Sequence, residues 1–310
     1  MIVIPMSNSI KLGKSIAKKS KAKLGKLTSN LFPDGEFHIR LLTKVKGKEV
    51  VLVQSLSPNP NDSLLELIFT AKTVKELGAK KVTAVIPYLA YMRQDKRFKS
   101  GECVSNQYMA WLLNQSVDRL LTVDPHLHRV HDLAELFHIE QTKITANTAI
   151  AKYINKKFSS KNTIIIGPDI ESSQWAKKIA NQIGFESSIF LKQRFSSRHV
   201  KIKVTKELDW KGKNIVIIDD IISSGHTMME AVKSLLKKKV KPVEPERDYL
   251  IIETVTEGVV GVYKIDVTDK TPEESIKLLD QIKQITGKNE FSVVEKYLLR
   301  TNSIIAIYSK

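Results

Sequence analysis

Asn214–Met228 reads NIVIIDDIISSGHTM, and its reading decides the fold. Ile215–Ile218 is a short, β-branched apolar run between polar flanks, which predicts a central strand of a parallel sheet. Asp219 and Asp220 stand at its carboxyl end, where open α/β sheets bind ligands. Ser223, Ser224, Gly225, His226 and Thr227 follow, and small residues let successive backbone N–H groups turn inward. A helix starting near Thr227 aims its positive end at the same place. The stretch therefore predicts a cradle for one phosphate, with two acids above it for sugar hydroxyls or a metal-bridged ligand.

Working outward, β/α alternation appears on both sides of a restart around residues 140–148. Strands are expected at 2–6, 37–42, 49–56, 82–87 and 118–123, with helices at 10–25, 64–77 and 105–114. Asp62 or Ser63 is the expected cap of the second helix. After the restart, helices are expected at 146–157, 172–183 and 227–239, and strands at 163–167, 187–191, 199–205 and in the opening stretch. Beyond Pro242 the texture changes to strand-like 249–267, a helix at 272–286 and a strand at 304–308. The fold class is α/β: two Rossmann-like domains with mostly parallel sheets, a site between them, and an atypical α+β tail. The expected boundaries are 1–143, 144–243 and 244–310.

Composition narrows the classes of function. The net charge is +17, but 41 of the 50 basic residues are lysine and only nine are arginine. They are spread along the chain, so a solvated lysine-rich surface is expected rather than a nucleic-acid interface. The surplus would still steer polyphosphates. Cys103 is the single cysteine, which excludes an intrachain disulfide and a cysteine metal cluster. No apolar run reaches membrane-span length, and MIVIPMSNSI reads as a first strand, so the cytoplasm is expected.

Several strand-end loops carry chemistry. Phe32-Pro-Asp34-Gly-Glu36 is a turn by composition. Tyr88–Arg97 contains Arg93, Gln94, Asp95, Lys96 and Arg97 just past a strand, which suits an anion site and equally a solvated loop. His126, His128 and His131 crowd one segment, without a strict zinc spacing. One of them beside an acid suits a metal–nucleotide contact; a structural role is the alternative. Asp169 stands at another strand end, and Lys192–Arg198 reads as a basic loop able to cover a charged site.

Six stretches together resemble the ribose-phosphate diphosphokinases (phosphoribosyl-pyrophosphate synthetases). They are FPDGEFHIRL (32–41), PYLAYMRQDKRFKSGE (87–102), TVDPHLH (122–128), GPDIESSQWA (167–176), LKQR (191–194) and VIIDDIISSGHTM (216–228). The wording is similar to a divergent bacterial-type branch, and the resemblance covers roughly residues 1–243. Ser223 and His226 depart from the commonest form of the phosphate loop, and residues 244–310 do not match the family pattern.

The resemblance implies two phosphoribosyltransferase-like domains. The implied reaction moves the diphosphoryl group of MgATP to ribose 5-phosphate, giving phosphoribosyl diphosphate and AMP. It implies ATP binding by Phe32, Asp34, Glu36, Arg93, Gln94, Asp95 and His126, with the first three often reaching from a neighbouring subunit. It places ribose 5-phosphate on Asp219, Asp220 and Ser223–Thr227, that is Ser223, Ser224, Gly225, His226 and Thr227. It places Mg2+ at His126 and Asp169, and catalysis on Lys192 and Arg194. A homo-oligomer is expected, with no nucleic acid and no membrane partner. The alternative is a catalytically inactive regulatory homologue. A phosphoribosyltransferase that consumes the diphosphate would not need FPDGE or RQDKR.

Overall fold

The computed structural model describes residues 1–194, 200–206, 208–209, 213–221, 231, 249–256, 259–266, 294–297 and 304–308. The chain divides into two units, Met1–Thr145 and Ala146–Ser309.

The first unit is built on a parallel sheet in the order β2-β1-β5-β6-β7-β8. Its strands are β1 (Ile2–Pro5), β2 (Lys23–Leu24), β5 (Glu49–Val53), β6 (Lys81–Ile86), β7 (Arg119–Val123) and β8 (Glu140–Ile144). The central strands bury both faces. Ile2, Ile4, Val50 and Leu52 face a core shared with Leu67 and Leu113, while Val3, Val53 and Val85 face Ala17. Helix α1 (Ile10–Lys19) supplies Ala17; α2 (Pro60–Glu76) and α3 (Ser105–Asn114) supply Leu67 and Leu113. Apolar side chains alternate to opposite faces, so helices on both sides remove them from water.

Three local expectations change here. Helix α1 stops at Lys19 instead of 25, because Lys23–Leu24 pairs with β1 as a short edge strand. Helix α2 starts at Pro60, ahead of the expected Asp62 or Ser63 cap. Proline fits a first helical turn, where its missing N–H has no intrahelical partner to lose. The strand before the Phe32–Glu36 turn, β3 (Leu27–Leu31), pairs antiparallel with β4 (Phe37–Leu41).

In the second unit, β9 (Thr163–Gly167) and β12 (Asn214–Asp219) are parallel neighbours at the centre of the sheet β11-β10-β9-β12-β16. Every described residue of β9 is buried, and so are Ile215–Asp219. Helices α4 (Asn147–Lys157) and α5 (Ser173–Ile183) cover it through Ile154, Trp175 and Ile179, packed with Ile165 and Val216. The β10 strand (Glu186–Arg194) runs beyond the expected 187–191. It pairs antiparallel with β11 (Val200–Val204), with Lys192 opposite Ile202 and Arg194 opposite Val200. Lys192–Arg194 are therefore strand residues, not part of a loop: ladder hydrogen bonds to β11 hold a polar sequence extended.

Beyond Val243, β13 (Tyr249–Thr256) forms an antiparallel hairpin with β14 (Val259–Asp266) and pairs with β15 (Val294–Tyr297). The β16 strand (Ile304–Tyr308) joins the main sheet parallel to β12, with Asp219 opposite Tyr308. Of the expected helix at 227–239 only Ala231 is described, helical and buried, and the expected helix at 272–286 lies outside the described residues.

Candidate functional site

In the second unit, the acids at the ends of two adjacent parallel strands come together. Asp219 and Asp220 are 9% and 6% exposed. Burial first, then the Asp169 carboxylate, then Asp220, push the Asp219 carboxyl up to about 8. The Asp220 backbone N–H donates to Asp219 Oδ1 at 3.0 Å, but this does not offset the crowding. The three carboxyls at the carboxyl ends of these central strands form a hard-oxygen cluster in which Asp219 retains a proton at neutral pH.

Asp169 is held by the turn into α5. The Ser172 backbone N–H donates to Asp169 Oδ1 at 2.9 Å, and the Ser172 hydroxyl donates to the Asp169 carbonyl at 2.8 Å. Ser172 is fully buried, and a Cβ on Gly167 would stand 2.7 Å from its Oγ. Glycine is needed there for this close approach. The expected phosphate loop, Ser223, Ser224, Gly225, His226 and Thr227, lies outside the described residues. For Lys192 and Arg194 the structure describes the strand position alone.

In the first unit, the predicted residues fall on three loops. Phe32, Asp34 and Glu36 are exposed at the tip of the β3–β4 hairpin, where Gly35 takes a φ of +91°. Asp34 Oδ1 accepts the Glu36 N–H at 3.2 Å, and the Phe32 ring leans on His38 with centroids 5.1 Å apart. The second loop follows β6. Tyr91 there has a φ of +66°, and its hydroxyl donates to Asn61 Oδ1. Arg93 is exposed and Gln94 half-buried.

The third loop follows β7. Asp124 bends it with a φ of +36°, a costly conformation for a non-glycine residue and one that concentrates at functional sites. The loop brings His126 Nε2 to 2.5 Å from His128 Nε2. His131 does not join them through its backbone: its N–H donates to Glu135 Oε1 within the capping box of the short helix Leu133–Glu135.

Asp95, read as a nucleotide contact, has a side chain only 4% exposed that accepts from Arg129 Nη1 at 2.7 Å. Arg129 also lies over the Phe98 ring at 5.3 Å. This pair joins the loop after β6 to the loop after β7. Sequence reasoning passed over Arg129 and Ser172. The signals for them were Arg129's place directly after the histidines and the Asp-x-x-Ser spacing of Asp169 and Ser172 ahead of a helix.

Among the described residues, no helix is long and apolar enough to cross a membrane.

Comparison with known proteins adds a second line of observation. A model described as the N-terminal domain of ribose phosphate pyrophosphokinase matches residues 1–116, and one described as the phosphoribosyl transferase domain matches residues 132–255. The second match runs past Val243 into β13, further than the motif wording reached. The chain is 37% identical over 235 residues to a ribose-phosphate pyrophosphokinase of Methanopyrus kandleri, covering 76% of this chain and 79% of that protein. It is 34% identical over 281 residues to one from Saccharolobus solfataricus, covering 87% and 95%. A phosphoribosylpyrophosphate synthetase crystal structure from Mycobacterium smegmatis matches with a TM-score of 0.68 and 27% identity, covering 78% of each chain. The two sequence relatives are archaeal and the structure bacterial, so the matches support the family and not a finer branch.

Proposed function

We propose the reaction from a plain premise: this chain belongs to the ribose-phosphate pyrophosphokinase family. It transfers the diphosphoryl group of MgATP to the anomeric hydroxyl of ribose 5-phosphate. The observation that carries this reading is the cluster of buried Asp219 and Asp220 with half-buried Asp169 at the carboxyl ends of β9 and β12, in the half expected to take the sugar phosphate.

In this reading, residues 1–143 serve the nucleotide, residues 144–243 serve ribose 5-phosphate, and 244–310 form an atypical tail whose β16 strand joins the main sheet. Asp219 and Asp220 accept hydrogen bonds from ribose hydroxyls, and Ser223–Thr227 cradle the 5-phosphate. Phe32 stacks on adenine while Asp34 and Glu36 take its polar edge. Arg93 and Gln94 grip the triphosphate, and Asp95 holds Arg129 beside them.

The all-oxygen cluster fits Mg2+, which Asp169 would hold, with His126 contacting metal on the nucleotide side. When bound, the ion neutralises phosphate charge and orients the phosphoryl groups. The attacking hydroxyl forms an O–P bond to the β-phosphorus and loses its proton. The bond from the β-phosphorus to the bridging oxygen breaks, and AMP leaves with that oxygen. Negative charge gathers on the equatorial oxygens and on AMP. Lys192 and Arg194 stabilise it, and losing one such contact costs about 10²–10³ in rate. The enzyme works as a homo-oligomer in the cytoplasm, without nucleic acid or membrane.

The test is product analysis with ribose 5-phosphate and MgATP. Release of AMP is expected. Formation of ADP, or no turnover from folded protein, defeats the reading and favours an inactive regulatory homologue.

A further inference from the structure

The loop after β6 turns on one strained residue, Tyr91. Leu89, Ala90 and Met92 are buried, Tyr91 among them is half-buried, and Arg93 is exposed. The chain leaves the core at this point with Tyr91 at a φ of +66°. That left-handed conformation is open to glycine but costly for a bulky side chain, and it persists only where surrounding contacts enforce it. The first turns of two helices supply such contacts. From α2, Asn61 Oδ1 accepts the Tyr91 hydroxyl. From α3, the Ser105 hydroxyl donates to the Tyr91 carbonyl at 3.4 Å, and the Asn106 N–H donates to the Gln94 carbonyl at 3.5 Å. Those two bonds are long and therefore weak, so the Tyr91–Asn61 bond is the main one of the three. Burial first, then the Asp62 carboxylate, raise the Tyr91 hydroxyl above its usual 10, so it remains a donor at neutral pH.

We propose that Tyr91 is a positioning residue for the nucleotide: its side chain, clamped to Asn61, fixes the turn from which Arg93 and Gln94 reach the triphosphate. The inference rests on the functional reading in giving Arg93 and Gln94 that task. Tyr91 and Asn61 are the new elements, and they act through the loop without touching the substrate. Glycine at position 91 would take the same φ without strain, but it also populates negative φ, so the turn would unwind freely. A tyrosine with its hydroxyl tied down holds one conformation. The tie spans 30 positions and ends on a helix anchored in the core by Leu64 and Leu67. The direction of the loop is thereby set by a rigid element and not by its own neighbours. Such preorganisation matters because a displacement of about 1 Å in a group that grips the substrate is enough to lose much of its effect.

The experiment compares Tyr91→Phe, Asn61→Ala and the double variant with the wild type, all as full-length protein. Calorimetry with a non-hydrolysable ATP analogue and Mg2+ reads affinity, limited trypsin digestion reads cleavage after Arg93, and thermal unfolding reads stability. Losing one neutral hydrogen bond corresponds to about 5–10-fold in an equilibrium. Each single variant is expected to weaken analogue binding and to speed cleavage after Arg93 by about that factor. The double variant should lose no more, because both changes remove the same bond. The melting temperature should stay that of the wild type, since the opening is local. Exposed Tyr153, in the second unit, serves as control, and Tyr153→Phe should change none of the three. Equal affinity in wild type and Tyr91→Phe, additive losses in the double variant, or unaltered cleavage overturns the proposal. A loss of affinity that follows a fall in melting temperature assigns Tyr91 to packing and overturns it as well. A wild type that binds no analogue defeats the functional reading instead, and the digestion still decides whether the clamp holds the loop.

Discussion

A carboxyl group that keeps its proton at neutral pH, as Asp219 does with a value of about 8, behaves opposite to an ordinary surface aspartate. Its folded value lies above the usual 3.8, so the native state holds a proton that the unfolded chain has released. The contribution to stability is complete below 3.8 and is lost as pH rises towards about 8. Asp219→Asn removes the ionisable group, so without metal the variant should be more stable than wild type at pH 9, on the order of a few kcal/mol, with a smaller gain at pH 5. Urea unfolding at both pH values measures it; a gain that does not grow with pH would mean that the carboxyls are not crowded. At this scale the sequence was readable where an acid followed a buried run, as at Asp169 and Asp219. It was silent on Arg129, whose role depends on Asp95 lying 34 positions away.

Elements were legible in proportion to their burial. Strands β9 and β12 carry the buried apolar runs Ile164–Ile166 and Ile215–Ile218 and were readable as central strands. The β8 strand, sequence EQTKI, is an exposed edge with no apolar alternation, so its local pattern marks only a restart. Lys192–Arg194 failed for the same reason: a polar strand held by its ladder looks like a loop. Asp118 shows how elements are tied. It accepts the Val82 N–H at 2.7 Å where β6 begins, and pairs with Lys75 at 2.7 Å in the last turn of α2. Burial alone would raise its pKa, but the Lys75 and Val82 hydrogen bonds outweigh it and lower the value below 3.8. That stabilisation is present above 3.8 and is lost as pH falls below it. Its side chain is 40% exposed, so Asp118→Asn should cost only about 1 kcal/mol at pH 7. The cost should shrink in acid. Thermal unfolding at pH 7 and pH 3 checks it; an equal loss at both would assign the effect to shape instead of charge.

For the whole molecule, the surplus of 50 basic over 33 acidic residues acts at long range. Only nine of the cations are arginine, and the predicted site uses few of the lysines. Their collective effect is a field that draws polyphosphates in, screened beyond about 10 Å at 0.1 M salt. Raising the salt from about 0.05 to 0.5 M should lower kcat/KM for ATP several-fold while kcat changes little. A parallel fall in both would place the charge in the chemical step, not in the encounter.

The pairing of β16 with β12 also sets an order in time. Ile304 comes 85 positions after Asp219, yet its strand lies directly against the one that carries the two acids. While the chain is being synthesised, one edge of β12 stays open until those later residues emerge. An apolar strand with a free edge is a template for pairing with other chains. Closing so long a loop is also slow compared with local pairing. The sheet of the second unit is therefore the last part of the chain able to close. A chain ending at Val243 would lose the strand that covers this side of β12.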